Sequence, residues 1–275
     1  MSEQQQSDHK GWISVFDQVA ADYDQIVPFF SAFARRFVEW IDPVQRIDVL
    51  DIATGRGAII AALLERGGGD RDTYTGIDLS QEMLRHTAKD FADRDPTKVR
   101  FQMMDAQHLA FDDETFDLVT CGFALHLFND PASAINEVFR TLRPRGWFAF
   151  STPGPAVGFF DSLTREFARR LPETARDQSR LRAIPMLTDA GFVGIETTEV
   201  EIHLPVGTPE EFWNGEMAHG RRRFFEQLSA PDLAELRARL FTFLNAEQAG
   251  DGIMLDRGAS FWKAQKPGGR VAISR

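Results

Sequence analysis

The sequence predicts an α/β fold: a doubly wound, mostly parallel sheet with helices on both faces. Two observations carry that prediction. Short β-rich runs alternate with helical stretches between positions 47 and 152, and the first run passes directly through a glycine-punctuated turn into a helix. With 43% apolar and 26% charged residues over 275 positions, the chain also has enough apolar material to cover such a sheet.

From Trp12 to Trp40, apolar residues such as Val15, Phe16, Val19, Tyr23, Ile26, Phe29, Phe33 and Phe37 recur mostly at steps of three and four, interrupted by Pro28. This pattern predicts two helices meeting near Val27 and Pro28. A strand over 47–51 follows, then the turn IATGRG and a helix over 58–66. The unit repeats as a strand over 73–78 and a helix that Ser80 caps and that runs to Phe91, after which 99–105 forms the third strand. A fourth strand spans 116–123, and Asp130 with Pro131 marks the N-cap and first residue of a helix ending near Leu142. After a turn at 143–146, a fifth strand occupies 147–152.

Beyond Thr152 the rhythm loosens. Stretches 159–170 and 180–190 read as helices, 193–204 is rich in β-branched residues, and 259–265 is a plausible last strand. Between those last two runs lies a helical insertion from Pro209 to Ala246, about forty residues, whose length suggests a cover over a pocket. The chain accordingly divides into an N-terminal helical cap (1–42), a core (43–208 with 247–275) and the insertion (209–246).

A net charge of −10 argues against nucleic acid and anionic membrane surfaces as partners. No apolar run approaches the roughly 18 residues of a spanning helix, and the polar N-terminus lacks a signal-like apolar stretch, so a cytoplasmic location is expected. The single cysteine, Cys121, reads as a small buried hydrophobe and excludes an internal disulfide. No metal-ligand cluster is legible, and no metal is expected.

In an open parallel sheet, ligands bind at the carboxyl ends of the strands where strand order reverses. The first strand ends at Asp51 and runs into Ala53, Gly55 and Gly57, small residues that admit a ligand close to the backbone. The G-x-G-x-x-G spacing of dinucleotide sites fails at Ile60. A carboxylate at the strand end also suits a ligand bearing a cationic amine better than a pyrophosphate, which disfavours a nicotinamide-dependent oxidoreductase. Asp78 at the second strand tip is placed for ribose hydroxyls, and Asp105 at the third for an exocyclic amine. Each acid alone could merely cap a turn. The three in order, beside the glycine turn, form a pattern.

The segments VLDIATGRG, GIDLSQEML, FQMMDAQHLAFDDETFDLVTCGFALHLFNDP and VFRTLRPRGWFAFST resemble the successive motifs of class I S-adenosylmethionine-dependent methyltransferases, and are similar above all to the ubiquinone and menaquinone group. The resemblance runs from about Phe16 to Thr152. It implies a Rossmann-like sheet of seven strands with the last antiparallel, and S-adenosylmethionine as cofactor. By the same resemblance, Asp51, Ala53, Gly55 and Gly57 surround the methionine moiety, Asp78 holds the ribose, Leu79 and Met83 flank the adenine, and Asp105 with Ala106 reads its edge. Ala53 replaces the commoner glycine. FDQVAADYDQIVPFF resembles the group's N-terminal helix, where Tyr23 closes over the cofactor. Cys121 is carried as a further candidate contact.

The expected reaction is in-line methyl transfer to a small metabolite. His126, just past the fourth strand, is the first candidate base, His219 in the insertion the second, and Tyr23 joins them as a candidate catalytic group. For each histidine the alternative is a packed or exposed side chain. Twenty-four phenylalanines against two tyrosines, many of them in the cap and insertion, point to a hydrophobic or aromatic acceptor, and a place in specialised metabolism is expected. The alternative activity is a cyclase, or a binding protein that uses the same cofactor fold without transferring a methyl. Residues 12–30 and 209–225 are expected to order together on ligand binding, or the N-terminal helix to pack across a homodimer.

Overall fold

The structure is a computed structural model that describes residues 3–42, 47–67, 69, 71–155, 157–172, 182–250 and 252–268. Two helices lead, α1 (Glu3–Val19) and α2 (Phe29–Ile41), followed by the alternating unit β1 (Asp48–Ile52), α3 (Ala58–Glu65), β2 (Thr73–Asp78), α4 (Gln81–Asp90), β3 (Val99–Met103) and β4 (Phe116–Cys121). A 3-10 turn at Leu125–Leu127 precedes α5 (Pro131–Thr141) and β5 (Leu142–Pro153). The second half contains α6 (Gly158–Ala168), α7 (Ala183–Asp189), β6 (Val193–Val206), the insertion helices α8 (Pro209–Met217), α9 (Arg222–Gln227) and α10 (Ala230–Gln248), and β7 (Ile253–Gln265).

The seven strands lie in the order β3-β2-β1-β4-β5-β7-β6, with β7 antiparallel to both its neighbours. Strand order reverses between β1 and β4, which pair in parallel from Val49 opposite Leu118 to Asp51 opposite Thr120. That reversal opens a crevice above the carboxyl ends of these two strands.

The pleat sorts side chains into two layers. Leu50, Ile52, Val119, Cys121, Phe148 and Phe150 pack on one face with α5 and α7. Val49, Leu118 and Ala149 pack on the other with Phe33 and Phe37 of α2 and Ile59, Ile60 and Leu63 of α3. Asp51, Thr120 and Ser151 fall on this second face by the same alternation. A third apolar cluster joins α6, the insertion helices and the start of β7, through Phe160, Phe167, Phe212, Phe225, Leu236 and Leu240.

Several elements differ in extent from the sequence expectation. The first helix begins at Glu3, well before Trp12, and ends at Val19. Between it and α2, the segment 20–28 is a string of turns rather than a sharp meeting at Pro28. The expected turn at 143–146 is instead part of β5, which starts at Leu142 with an offset ladder and a left-handed Arg145 (φ 68°). The last strand starts at Ile253 because it pairs with β6 along its whole length, from Val206 opposite Ile253 to Val193 opposite Gln265. The insertion is three helices, with α8 and α10 capped by the side chains of Thr208 and Ser229. Positions 180 and 181 of the expected helix over 180–190 lie outside the described residues.

Candidate active site

The turn after β1 is built around a buried acid. Asp51 is 1% exposed, and its two oxygens each accept a threonine hydroxyl at 2.7 Å, Thr54 from the turn and Thr120 from β4. Burial pushes its pKa up to about 6 against the two hydroxyl bonds that lower it, with Asp78 adding a smaller upward push. Beyond it, Ala53, Gly55 and Gly57 are all left-handed, at φ 52°, 54° and 75°. The last of these must be glycine, since a Cβ there would stand 2.8 Å from the Phe91 ring. Ala53 adopts the same conformation as a non-glycine, at a cost of about 1 kcal/mol.

Asp78 ties the two neighbouring strand tips together. Its carboxylate accepts the N–H of Gly55 at 2.8 Å and that of Ser80 at 2.8 Å. Each oxygen keeps a further lone pair for a ligand hydroxyl. Burial raises its pKa, with Asp17 nearby acting in the same direction. Among the described residues, neither Asp51 nor Asp78 forms an ion pair with an arginine or lysine. A buried carboxylate, Asp51, and a half-buried one, Asp78, left without a cation are suited to receive one from a ligand.

A cleft of about 480 Å³ opens over this turn. Asp51, Ala53, Thr54, Gly55 and Arg56 form its floor, and Phe30, Phe33, Phe37 and Phe123 its apolar end. Tyr23 lines it as well, its ring edge 4.0 Å from where a Gly55 Cβ would be and its face stacked on Phe30 at 4.5 Å. Burial, then Asp24 and Asp78, holds the Tyr23 phenol well above its ordinary pKa, so it stays protonated and can donate but not abstract a proton. The adjoining Asp24 grips the start of α2 by accepting the N–H groups of Phe30 at 2.7 Å and Ser31 at 2.8 Å.

Of the residues expected from sequence, Tyr23, Asp51, Ala53 and Gly55 line one cleft, and Gly57 and Asp78 support its turn. Met83 is buried against Val19 and Ala20, below Phe16 and Tyr23. Asp105 accepts the backbone N–H of Gln107 at 2.9 Å, with Ala106 buried beside it. Neither they nor Leu79 line the cleft. Cys121 faces the opposite layer, where burial, followed by Asp51, pushes its thiol pKa up. His126 sits half-buried in the 3-10 turn and outside the cleft lining.

His219 stands behind the apolar end, stacked on Phe29 and edge-on to Phe30, each at 5.9 Å. Its Nδ1 accepts the Arg221 N–H at 3.3 Å, and its Nε2 lies 3.8 Å from Glu216. Glu216 belongs to a buried ionic cluster with Arg257 at 2.5 Å and Arg221 at 3.0 Å, while Asp161 meets both arginines at 3.3–3.4 Å. Burial alone would raise the Glu216 carboxyl, but Arg257, Arg221 and His219 together hold it well below the ordinary range.

Sequence reasoning missed Thr54, Thr120, Ser151, Phe123 and Arg56. Ser151 accepts the Phe123 N–H at its hydroxyl (3.0 Å) and its carbonyl (3.1 Å), which fixes Phe123 at φ 51°. The Phe123 ring therefore stands 5.2–5.8 Å from Phe29, Phe30 and Phe33. A legible signal existed for Thr120 and Ser151, as polar residues on the parity of Asp51 in otherwise apolar strand ends. None existed for Phe123.

Residues 50–150 match a family described as a methyltransferase domain. Nocamycin O-methyltransferase of Saccharothrix syringae is 30% identical over 263 residues, covering 87% of this chain and 92% of that protein. A demethylmenaquinone methyltransferase of Geobacillus sp. (strain WCH70) is 29% identical over 209 residues, 66% of this chain and 88% of that one. Phosphoethanolamine N-methyltransferase 2 of Haemonchus contortus, solved in complex with S-adenosyl-L-methionine, shares the fold with a TM-score of 0.57 at 19% identity, over 91% of this chain and 57% of that one.

Proposed function

Because this chain belongs to the class I S-adenosylmethionine-dependent methyltransferases, we propose that it methylates a small, apolar and planar acceptor held against Phe30, Phe33 and Phe123. One observation carries the choice of acceptor: the cleft lined by Asp51 and Gly55 is lined also by the phenylalanines Phe30, Phe33, Phe37 and Phe123. The names of the similar proteins, which refer to small metabolites, support the same reading and a place in specialised metabolism.

S-adenosylmethionine supplies a methyl group on a positively charged sulfur, ready for attack by a nucleophile in line with the breaking bond. The residues present fit such a molecule. The buried Asp51 and the half-buried Asp78 offer cation-free carboxylates to its charged end and its ribose, and the left-handed turn from Ala53 to Gly57 lets the backbone come close. Asp105 and Ala106 at the third strand tip are assigned to the adenine edge, with Leu79 and Met83 on its faces. The core, 43–208 with 247–275, acts as the cofactor platform. The cap over 1–42 and the insertion over 209–246 roof the acceptor.

Aligning the two reactants and excluding water is the main contribution of this chain. Tyr23 bears on both tasks, as a neutral phenol over the turn. His219 shapes the roof, since one nitrogen already accepts a backbone N–H and the other faces Glu216. We place the enzyme in the cytoplasm. Its net charge of −10 supports a metabolite over a nucleic acid as substrate.

The test is methyl transfer from labelled S-adenosylmethionine to a panel of acceptors. Fused-ring phenols and aromatic acids should accept label, whereas sugars, phosphates and free amino acids should not. Label appearing only on the polar set would overturn the acceptor assignment. Conversion of an aromatic or polyene substrate without label transfer would point to the cyclase alternative.

A further inference from the structure

Arg56 lies between Gly55 and Gly57, inside the turn assigned to the cofactor, and sequence gives no reason for a cation there. Arg56 is among the residues lining the cleft, its side chain is 11% exposed, and its charge is spent elsewhere. One end meets Asp90 of α4, through Nε at 2.9 Å and Nη2 at 2.5 Å. The other end, Nη1, donates to the carbonyls of Ala20 and Ala21 at 3.1 Å each. Those carbonyls sit just beyond the last residue of α1, where a helix presents unsatisfied acceptors and the negative end of its dipole. Two residues further along is Tyr23, over Gly55.

The same helix is fixed a turn earlier. Asp17 accepts the Ser80 hydroxyl at 2.6 Å, just after Asp78. The carboxyl end of α1 is thus pinned to both strand-tip turns, and the pin at Ala20 and Ala21, nearest Tyr23, comes from a residue of the cofactor turn itself. Since Arg56 is flanked by two left-handed glycines, its stem follows any change in that turn.

We propose that Arg56 is a positioning residue that couples the cofactor turn to the cap, drawing the end of α1 down so that Tyr23 closes over the bound cofactor. The coupling rests on the assignment of the Gly55 turn to S-adenosylmethionine. It explains an arginine beside a site for a cationic ligand, because the guanidinium is neutralised by Asp90 and by the helix end.

The probe is S-adenosylhomocysteine bound to the full chain, with dissociation followed by stopped-flow tryptophan fluorescence. Failure of the unmodified protein to bind the probe would count against the cofactor assignment and leave the coupling without its premise. Given binding, Arg56→Ala and Tyr23→Ala should each speed dissociation about tenfold, and the double variant should be no faster than Tyr23→Ala alone. Non-additivity is the signature of one residue acting through the other. Arg56→Lys should recover part of the loss, since one ammonium cannot bridge Asp90 and two carbonyls. If Arg56→Ala does not fold, Asp90→Asn replaces it, with dissociation two- to threefold faster expected (about 0.5 kcal/mol) and the same cycle against Tyr23→Ala. Unchanged dissociation in the folded variant, or two factors that multiply in the double variant, would overturn the proposal.

Discussion

The Asp51 carboxylate, 1% exposed between two threonine hydroxyls, has a folded pKa of about 6 against 3.8 when free. A raised acid binds its proton more tightly in the folded state. Its contribution to stability is therefore full below about pH 4 and is lost as pH rises through about 6, a cost of roughly 3 kcal/mol at neutral pH. The same ionised form is the one that attracts a cation. Asp51→Asn should accordingly raise the thermal midpoint by a few degrees while weakening S-adenosylmethionine binding at least tenfold. In the unmodified protein, affinity should fall as pH drops through about 6, and the variant should lack that dependence; calorimetry across pH 5–8 measures both. For His219, whose ring packs on Phe29 and Phe30, His219→Ala should raise the acceptor KM several-fold and lower kcat less than tenfold. A kcat loss of a hundredfold or more in steady-state assays would instead give it the proton-accepting role.

Helix starts were legible because their signals are local. Asp130 accepts the Ser133 N–H at 3.0 Å, Ser80 accepts that of Met83 at 3.1 Å, and both helices begin where the caps indicate. Asp130→Ala should cost about 1 kcal/mol in urea unfolding with cofactor affinity unchanged, since α5 lies on the face away from the cleft. Strand ends were less legible. The residues 253–258 carry Asp256, Arg257 and Gly258, which read poorly as a strand, yet they pair along β6 to Val206. Gly258 is required there, because a Cβ would stand 2.7 Å from the Pro155 carbonyl oxygen. Partner strands extended the element, and no window of sequence contains the partner.

Across the whole molecule, the N-terminal segment and the helices after β6 pack on one another. A Cβ on Gly215 of α8 would lie 2.9 Å from Val27, Gly220 faces Trp12 and Phe16, and Arg223 covers the Trp12 ring at 4.6 Å. The sequence reading expected residues 12–30 and 209–225 to order together when ligands bind, from their shared excess of apolar side chains; in the structure the two segments touch. The Glu216, Arg221, Arg257 and Asp161 cluster links α8 and the segment after it to α6 and β7. Glu216→Gln should destabilise the fold by about 3 kcal/mol, because it leaves the buried Arg257 and its neighbour Arg221 to share the Asp161 carboxylate. Its carboxyl is held below the ordinary range, so this contribution is present at neutral pH and lost on acidification. Urea titrations at pH 7 and pH 4 should show the gap between the two proteins narrowing at the lower pH. Gly215→Val should wedge the roof apart, seen as faster hydrogen exchange over 20–30 with α3 unaffected.

By itself the sequence determined the alternating core, the turn at Asp51 to Gly57, the acids at three strand tips and the methyltransferase family, because each is encoded in contiguous residues with a fixed period or spacing. Only the tertiary structure decided which side chains share the cleft. Pleat parity sends Thr120 and Ser151 toward Asp51 and turns Cys121 away. The fold carries Phe123 to Phe30, Glu216 to Arg257 and Arg56 to the end of α1, pairs separated by 35 to 93 positions along the chain. Contacts at such separations depend on how the sheet is ordered and how the roof is laid on it, and local patterns of polarity carry no record of either.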